Sequence, residues 1–345
     1  MGNAKNSSAS LSAVPDGNLA YSIRHLHRHE IDDAKWNACI DKAPNGLIYG
    51  RSWWLDTMTD GQWDALVLDD YTAIMPLTWK KKWGIRYLYQ PPFTQQLGIF
   101  SSDAIPASLV EAFLKRVGDH FRFAEIFLNH GNPHSLLQAH ANFILALDAP
   151  YELLAGNYKK GLVGTLRTAA RLPLNYITDL DLSFSLRLNR SKYGERVPHV
   201  KKEAYERFEK LCLLLQGRGQ AMIRAITGGE GQPLATALLL EERGRLSLLQ
   251  ATTLPEGRRA GANHLLLDKI IQEFSGQTPV AGQSGISGRP HSSGKSNIPG
   301  QRLILDFEGS DIPGIAHFYR SFGSTDQPYF FYRHNQLPWP IRLLK

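Results

Sequence analysis

Two acidic residues two positions apart, Asp306 and Glu308, stand at the end of an apolar run, Leu303–Phe307, that reads as a β-strand. Residues i and i+2 of a strand face the same side, so this spacing offers both carboxylates to one spot. A carboxylate there serves as a general base or grips an amine. The structural alternative is a turn cap or a partner for an arginine. Tyr319 and His317, on a short helix near Ile312–Arg320, are further polar candidates.

A second candidate lies upstream. The apolar strand Leu246–Thr252 runs into a loop, Thr253–Ala260, that carries Arg258 and Arg259, and a helix starts at Gly261. A strand–loop–helix unit points backbone N–H groups and a helix dipole at one place, which suits an anionic group. The arginines add charge and forked donors for a phosphate. Gly261, with Ala262 and Asn263 after it, lets the backbone come close without a Cβ. The plainer reading is a capped core helix in which Leu265, Leu266, Ile270, Ile271 and Phe274 pack and the arginines are solvated.

Other chemistries find little support. No Gly-x-Ser-x-Gly or Cys–His signature marks a nucleophile. Twelve histidines occur, but none pair at a metal-ligand spacing, since His134 and His140 have no carboxylate partner; no metal is expected. Cys39 and Cys212 are far apart, which fits a reducing compartment without a disulfide framework. The run Tyr332-Arg333-His334-Asn335, with Trp339, either lines a cleft or seals an interface.

The elements that must position these residues fill a chain of 345 residues, long enough for two domains. Residues 1–19 are Ser- and Asn-rich without an apolar core, and read as a disordered tail rather than a signal peptide. The first domain is expected over 20–149: a strand at Ala20–Leu26, helices at Glu30–Ala43 and Leu47–Asp60, then short strands. The polar, Pro-rich stretch Gln90–Gly98 reads as an ordered loop. A helix follows from about Pro106 to Phe121, then strands at Ala124–Asn129 and Phe143–Leu147. The second domain is expected over 150–345. It opens with a basic helix over Tyr151–Leu172, followed by a strand near Asn175–Leu182 and a helix over His199–Gln216. Three strands, at Ala221–Ile226, Leu234–Glu241 and Arg245–Thr252, precede the helix from Gly261. The Gly/Ser-rich segment 275–302 reads as a flexible insertion.

Three strands, a Gly-started helix, a strand, a helix and a strand resemble the plan of the GNAT (N-acetyltransferase-like) superfamily. In that family the loop before the central helix reads Gln/Arg-x-x-Gly-x-Gly/Ala. Arg258-Arg-Ala-Gly261-Ala-Asn263 matches its first two landmarks, and Asn263 departs from the third. The later part of the chain is similar to the FemABX branch, the aminoacyl-tRNA-dependent transferases of peptidoglycan bridge synthesis. Three stretches carry this likeness: the basic segment Tyr158–Arg171, the helix start at Gly261–Leu266, and Asp306-Phe-Glu-Gly-Ser310 followed by Ile315–Gly323. The chain also resembles uncharacterised GNAT-related proteins of the Bacteroidetes type.

The resemblance implies an α/β (α+β) fold of two tandem GNAT-like domains, each a mixed, mostly antiparallel sheet flanked by helices. It implies a bacterial acyl- or aminoacyltransferase acting on an amine of an envelope precursor or a small metabolite. No cofactor would be held permanently; acyl-coenzyme A or aminoacyl-tRNA would be the donor. Arg258, Arg259, Gly261, Ala262 and Asn263 would bind the donor. Arg167, Arg171 and Tyr319 would bind substrate, and Asp306 and Glu308 would do the chemistry. The acceptor would be small or lipid-linked, with charged tRNA as a partner and no DNA. The net charge of +7 fits anionic partners, and no apolar run reaches the length of a membrane span, so a soluble cytoplasmic location is expected. A non-catalytic binding protein of the same fold is the alternative, and RNA binding through Lys159–Arg171 is a third reading.

Overall fold

A computed structural model describes residues 21–276, 303–339 and 342. The expected tail at 1–19 and nearly all of the 275–302 insertion lie outside the described residues. The first part of the chain forms β1 (Ile23–His27), α1 (Asp33–Lys42), α2 (Ser52–Thr59), β2 (Trp63–Leu68), β3 (Ala73–Lys82), β4 (Ile85–Leu88), β5 (Phe100–Ser101), α3 (Ala107–His120), β6 (Phe123–Leu128) and β7 (Gln138–His140). Next come β8 (Phe143–Ala146), α4 (Tyr151–Gly156), α5 (Lys160–Ala169), β9 (Asn175–Ile177), α6 (Leu182–Tyr193), α7 (Lys202–Gly217), β10 (Ala221–Thr227), β11 (Pro233–Glu242) and β12 (Arg245–Thr253). The chain ends with α8 (Pro255–Arg259), α9 (Ala262–Phe274), β13 (Ile304–Asp306), α10 (Pro313–Arg320), β14 (Thr325–Asp326) and β15 (Tyr329–Asn335).

The strands build two sheets. The first runs β1-β2-β3-β4-β6-β15-β7, with β5 also on β3, and the second runs β14-β8-β13-β12-β11-β10-β9. Each is antiparallel except for one parallel pair near its middle, β4 with β6 in the first and β12 with β13 in the second. In each case a helix, α3 or α9, connects the pair, as a parallel crossover requires. The chain therefore carries two copies of one plan, the tandem GNAT-like arrangement. The copies exchange strands: β15, from the end of the described chain, lies between β6 and β7 of the first sheet, with Phe330 opposite Leu128 and Ala139.

Three apolar cores hold the layers. One packs α3 on the first sheet through Leu109, Val110, Phe113, Leu114 and Val117, the face expected from their spacing. A second packs α4, α5, α9 and α10 on the second sheet. The third joins the two halves. Trp36, Trp54 and Trp63 of the first half share it with Phe208, Leu211, Cys212 and Leu238 of the second. The Gln90–Gly98 loop reaches into this seam, where Phe93 stacks on Phe208 at 4.1 Å between ring centroids.

Several local elements differ from expectation, each for a visible reason. The long basic helix is two helices, α4 and α5. The break lies at Asn157–Lys159, where Tyr158 is buried and the Lys159 N–H turns away to the Ser321 carbonyl at 2.9 Å. The segment Leu47–Asp60 begins as a 3-10 turn, Ile48–Gly50, because Arg51 is extended at φ −63°, ψ 137°. The region expected as a loop before Gly261 contains the short helix α8. Helix α6 has a polar, Ser- and Arg-rich sequence, although Asp181 caps it by accepting the Phe184 N–H at 2.6 Å.

Between the halves, the tight turn linking β11 to β12 docks on α1. Arg243 and Gly244 both have positive φ, as a two-residue hairpin of this kind needs. Arg243 Nη1 donates to the Ile40 carbonyl at 2.7 Å. Next to it, Arg51 Nε donates to Glu242 Oε1 and Arg51 Nη2 to Asp41 Oδ1, both at 2.6 Å, with Arg51 and Glu242 nearly buried. Burial pushes the Glu242 carboxyl upward against the pull of Arg51. A charge pair held this way is costly to halve and cheap to replace whole. Glu242→Ala should therefore destabilise the protein by about 3 kcal/mol in denaturant titration, while Arg51→Met combined with Glu242→Leu recovers most of that loss.

Candidate active site

The second sheet opens at its middle. Strands β12 and β13 pair over only three rungs, Arg245 with Ile304, Leu246 with Leu305 and Ser247 with Asp306. Beyond Ser247, β12 continues to Thr253 with no strand on that edge among the described residues. A bulge at Leu249, between the Leu238–Gln250 and Leu239–Leu248 pairs, sits in the same stretch. Bulges of this sort re-aim side chains and end pairing next to functional sites.

Beyond Asp306 the other strand turns away. Glu308 and Gly309 both adopt left-handed backbone, at φ +59° and +57°. A Cβ on Gly309 would lie 2.2 Å from the Ala141 carbonyl and 2.9 Å from Asn142 Cα, so only glycine fits there. Glu308 is thus past the strand end and does not simply share a strand face with Asp306. The reversal still folds its backbone N–H onto Asp306 Oδ1 at 3.0 Å.

Asp306 is buried and anchors the site. Its Oδ1 also accepts from Asn142 Nδ2 at 2.9 Å, and its Oδ2 pairs with Arg245 Nη1. Arg245 Nη2 reaches Gln327 Oε1 at 2.9 Å. The carboxyl group of Glu308 points into the seam between the halves. There Tyr49 donates its hydroxyl hydrogen to Glu308 Oε1, and Gln95 donates to the Glu308 carbonyl. Burial, reinforced by neighbouring Asp306, raises the Glu308 pKa to about 8, although Tyr49, Arg245 and Ser247 favour the ionised form. Burial and the Glu308 carboxylate push the Tyr49 phenol well above its ordinary value, so it stays a donor.

Other titratable groups ring the carboxyl. Burial, and then the nearby Arg245 cation, lower His130 to about 4, which keeps this imidazole neutral near pH 7. Its Nδ1 is buried without a hydrogen-bond partner. Tyr319 is raised to about 12 by burial, with Glu308 and Asp306 nearby, and its ring stacks on Phe307 at 4.8 Å. Of the residues singled out from the sequence, Asp306, Glu308 and Tyr319 therefore converge. Tyr49, Gln95, His130, Asn142 and Arg245 complete the cluster and were not singled out. The ordered Gln90–Gly98 loop was the available signal for Gln95.

The remaining sequence candidates gather elsewhere, at the far end of β12. Arg258 and Arg259 lie in α8, and Arg259 pairs with Glu256 at 3.1 Å. Gly261 caps α9 at φ +70°, and Ala262 and Asn263 open that helix. A Cβ at Gly261 would stand 3.0 Å from Thr165 Cγ2 and 3.7 Å from Ala169 Cβ, so α5 packs against the start of α9. Gly261 thus has a packing reason as well as a backbone one. Arg167, on α5, lines a cavity of about 480 Å³ between α4, α5 and α9, together with Tyr158, Asp268 and Lys269. Arg171 follows α5 and is exposed.

Residues 165–278 match the acetyltransferase (GNAT) domain family. The crystal structure of FemX superposes with a TM-score of 0.57 at 14% identity, covering 93% of this chain and 99% of that one. L-PGS from Bacillus licheniformis gives 0.47 at 11% identity, over 91% of this chain and 95% of that one. A conserved protein of unknown function from Bacteroides thetaiotaomicron gives the same score and identity, over 91% of this chain and all (100%) of the other. No curated protein sequence matches the chain. The chain shares the fold of FemX, and its second half contains the stretch that matches the GNAT domain. Among the described residues no helix is long and apolar enough to cross a membrane.

The raised pKa of Glu308 has a consequence for stability. The unfolded carboxyl titrates near 4.5 and the folded one near 8, so between these values the folded state holds a proton that the unfolded state has lost. Stability attributable to this group is complete below pH 4.5, falls as pH rises toward 8, and is flat above. Glu308→Gln cannot ionise. Its thermal midpoint should equal that of the parent at pH 5 and exceed it at pH 9, by a margin worth a few kcal/mol at about 1.4 kcal/mol per pKa unit.

Proposed function

We propose that the chain is an acyl- or aminoacyltransferase that moves an activated acyl group to an amine, with Glu308 as the general base. The observation that carries this reading is a buried carboxyl of pKa about 8 at the point where β12 and β13 part. A base is most useful when its pKa lies near the working pH.

The reaction proceeds by direct attack. The neutral amine nitrogen attacks the donor carbonyl and forms the new C–N bond. The carbonyl π electrons move to oxygen, and the uncovered edge of β12 offers backbone N–H donors to that oxyanion. Glu308 takes the proton the nitrogen sheds, with Tyr49 and the Asp306–Arg245 pair holding the carboxyl in place. Collapse of the intermediate breaks the bond to the leaving thiol or ribose hydroxyl, which takes the proton back from Glu308 and restores the carboxylate. The donor reaches this point along β12, which spans about 20 Å from Ser247 to Thr253. Its anionic end lies at Arg258 and Asn263, the helix start that suits a phosphate. Coenzyme A thioesters fit this path. The resemblance of Tyr158–Arg171 and Asp306–Gly323 to FemABX proteins adds aminoacyl-tRNA as a second donor class. The acceptor amine belongs to an envelope precursor or a small metabolite, and sits in the seam beside Tyr49 and Tyr319.

The test is a transfer assay on the purified chain with acyl-coenzyme A and aminoacyl-tRNA donors against a panel of amine acceptors, read by mass spectrometry. Glu308→Gln should lower turnover by roughly 10²–10⁴-fold while the protein stays folded. Full activity in this variant would sink the assignment. Arg258→Ala should raise the KM for donor and leave the fold intact. A substitution such as Gly261→Val would strain the backbone and crowd α5, so it does not report on donor binding.

The pH profile makes a separate prediction. In the parent enzyme kcat/KM should climb with pH, bend near 8 where Glu308 is half ionised, and level off above. Tyr49→Phe removes a hydrogen bond that favours the carboxylate, so the rising limb should move to higher pH. An unmoved limb would mean that the acceptor amine, not Glu308, is titrating.

A further inference from the structure

The opposite edge of the first sheet carries a group of residues that the transfer chemistry does not use. His25 and His27 occupy alternate positions on β1 and face the same side. His27 lies directly across from Asp64 on β2. His25 Nε2 is 3.3 Å from Asp64 Oδ2, and His27 Nδ1 is 3.4 Å from Asp64 Oδ1. The three ligand atoms all lie within 4.8 Å of one another. We propose that His25, His27 and Asp64 form a binding site for a divalent transition ion, zinc being the best match.

The geometry supports this in three ways. Zinc bonds of about 2.0–2.1 Å to nitrogen and oxygen set tetrahedral edges of roughly 3.3 Å, and each imidazole nitrogen stands at about that distance from a carboxylate oxygen, His25 from Oδ2 and His27 from Oδ1, so a small turn of the carboxyl brings one oxygen to both. The remaining His25–His27 edge closes through a small swing of the half-exposed His27. Second, His25 is already oriented. Its ring stacks on His120 at 4.3 Å, and its Nε2 is buried without a well-directed hydrogen bond. Third, the carboxylate is held in place by a further partner. Arg86 donates to Asp64 Oδ2 and is itself fixed over Trp79 at 4.1 Å. Outer partners of that kind orient a ligating carboxylate. Two imidazoles and one carboxylate suit zinc, and three protein ligands leave a fourth position for water.

Spacing along the sequence hides this site. His25 and His27 supply two ligands, but the third comes from a neighbouring strand, and only the β1–β2 register brings it into place. Occupation would tie the edge strand β1 of the first sheet to β2, while Glu308 follows β13 of the second, so the site is independent of transfer activity.

Zinc chloride titrated into the tag-free full chain at pH 7.5, followed by calorimetry and thermal melting, tests the site. The expected result is a single saturable site and a higher thermal midpoint with zinc. His27→Ala, at a half-exposed edge position, should weaken binding at least roughly tenfold and remove the thermal gain. His199→Ala, on an exposed turn, should change neither. Arg86→Gln, which removes the partner that orients Asp64, should weaken binding by roughly tenfold or more. No saturable heat up to about 1 mM zinc, or parent-like binding by His27→Ala, would overturn the proposal.

Discussion

Strands β12 and β13 can pair over three rungs and no further, and the site follows from that limit. Asp306 occupies the last rung, opposite Ser247, and binds Arg245, the first residue of β12. The pair bolts the two strands together at their closed end. Two residues on, at Glu308, the backbone enters the left-handed region, and at Gly309, where no side chain fits, it folds back against Asn142. The open end of the gap, the stretch of β12 that has no strand on that edge among the described residues, and the direction of Glu308 all come from this one reversal. A single buried aspartate receives the Glu308 N–H, the Asn142 amide and the Arg245 guanidinium, and so it holds strand, turn and neighbouring strand in one arrangement.

The second constraint is the seam. Glu308 follows β13 of the second sheet, but its polar partners Tyr49 and Gln95 come from the first half. The acid is therefore enclosed only when both halves close on it. The shared core of Trp36, Trp54, Trp63 and Phe208 provides that closure, and the strand exchange by β15 ties the end of the chain into the first sheet. The seam is an integral part of the protein's core, with its own buried ion pair at Arg51 and Glu242. A carboxyl kept in such a place destabilises the fold whenever it ionises. Proteins retain strained or poorly solvated groups of this kind at working sites, where altered acidity is useful.

Much of this was legible in the sequence. The apolar spacing in Leu109–Val117 marked α3 and its buried face. The three central strands, the Gly-capped helix and the Asp-Phe-Glu-Gly turn were visible as patterns. Three of the residues named for chemistry, Asp306, Glu308 and Tyr319, do lie together. The misses have physical causes. Helix α6 lacks a strong apolar stripe and is stabilised by its Asp181 cap and by contact with the shared core. The break between α4 and α5 comes from a tertiary bond, Lys159 to Ser321, that no local propensity signals. The Arg258 region reads as a loop because Pro and Gly punctuate it, yet it packs as one short helix on α9 and β11.

By itself, the sequence determined the periodicity of the helices, the apolar strands, the glycines that allow reversal, and the basic balance of the surface. These are local properties, set by side-chain size, polarity and backbone freedom within a few residues. Tertiary structure alone decided which strands pair across long separations, as when Tyr329–Asn335 inserts beside Phe123–Leu128. It also decided which partners meet Glu308: Tyr49 and Gln95 are hundreds of residues away in sequence and close in space. The acidity of that carboxyl is likewise a tertiary property. An isolated glutamate is an ordinary acid, and its shift to about 8 arises from burial between two halves that only the complete fold brings together.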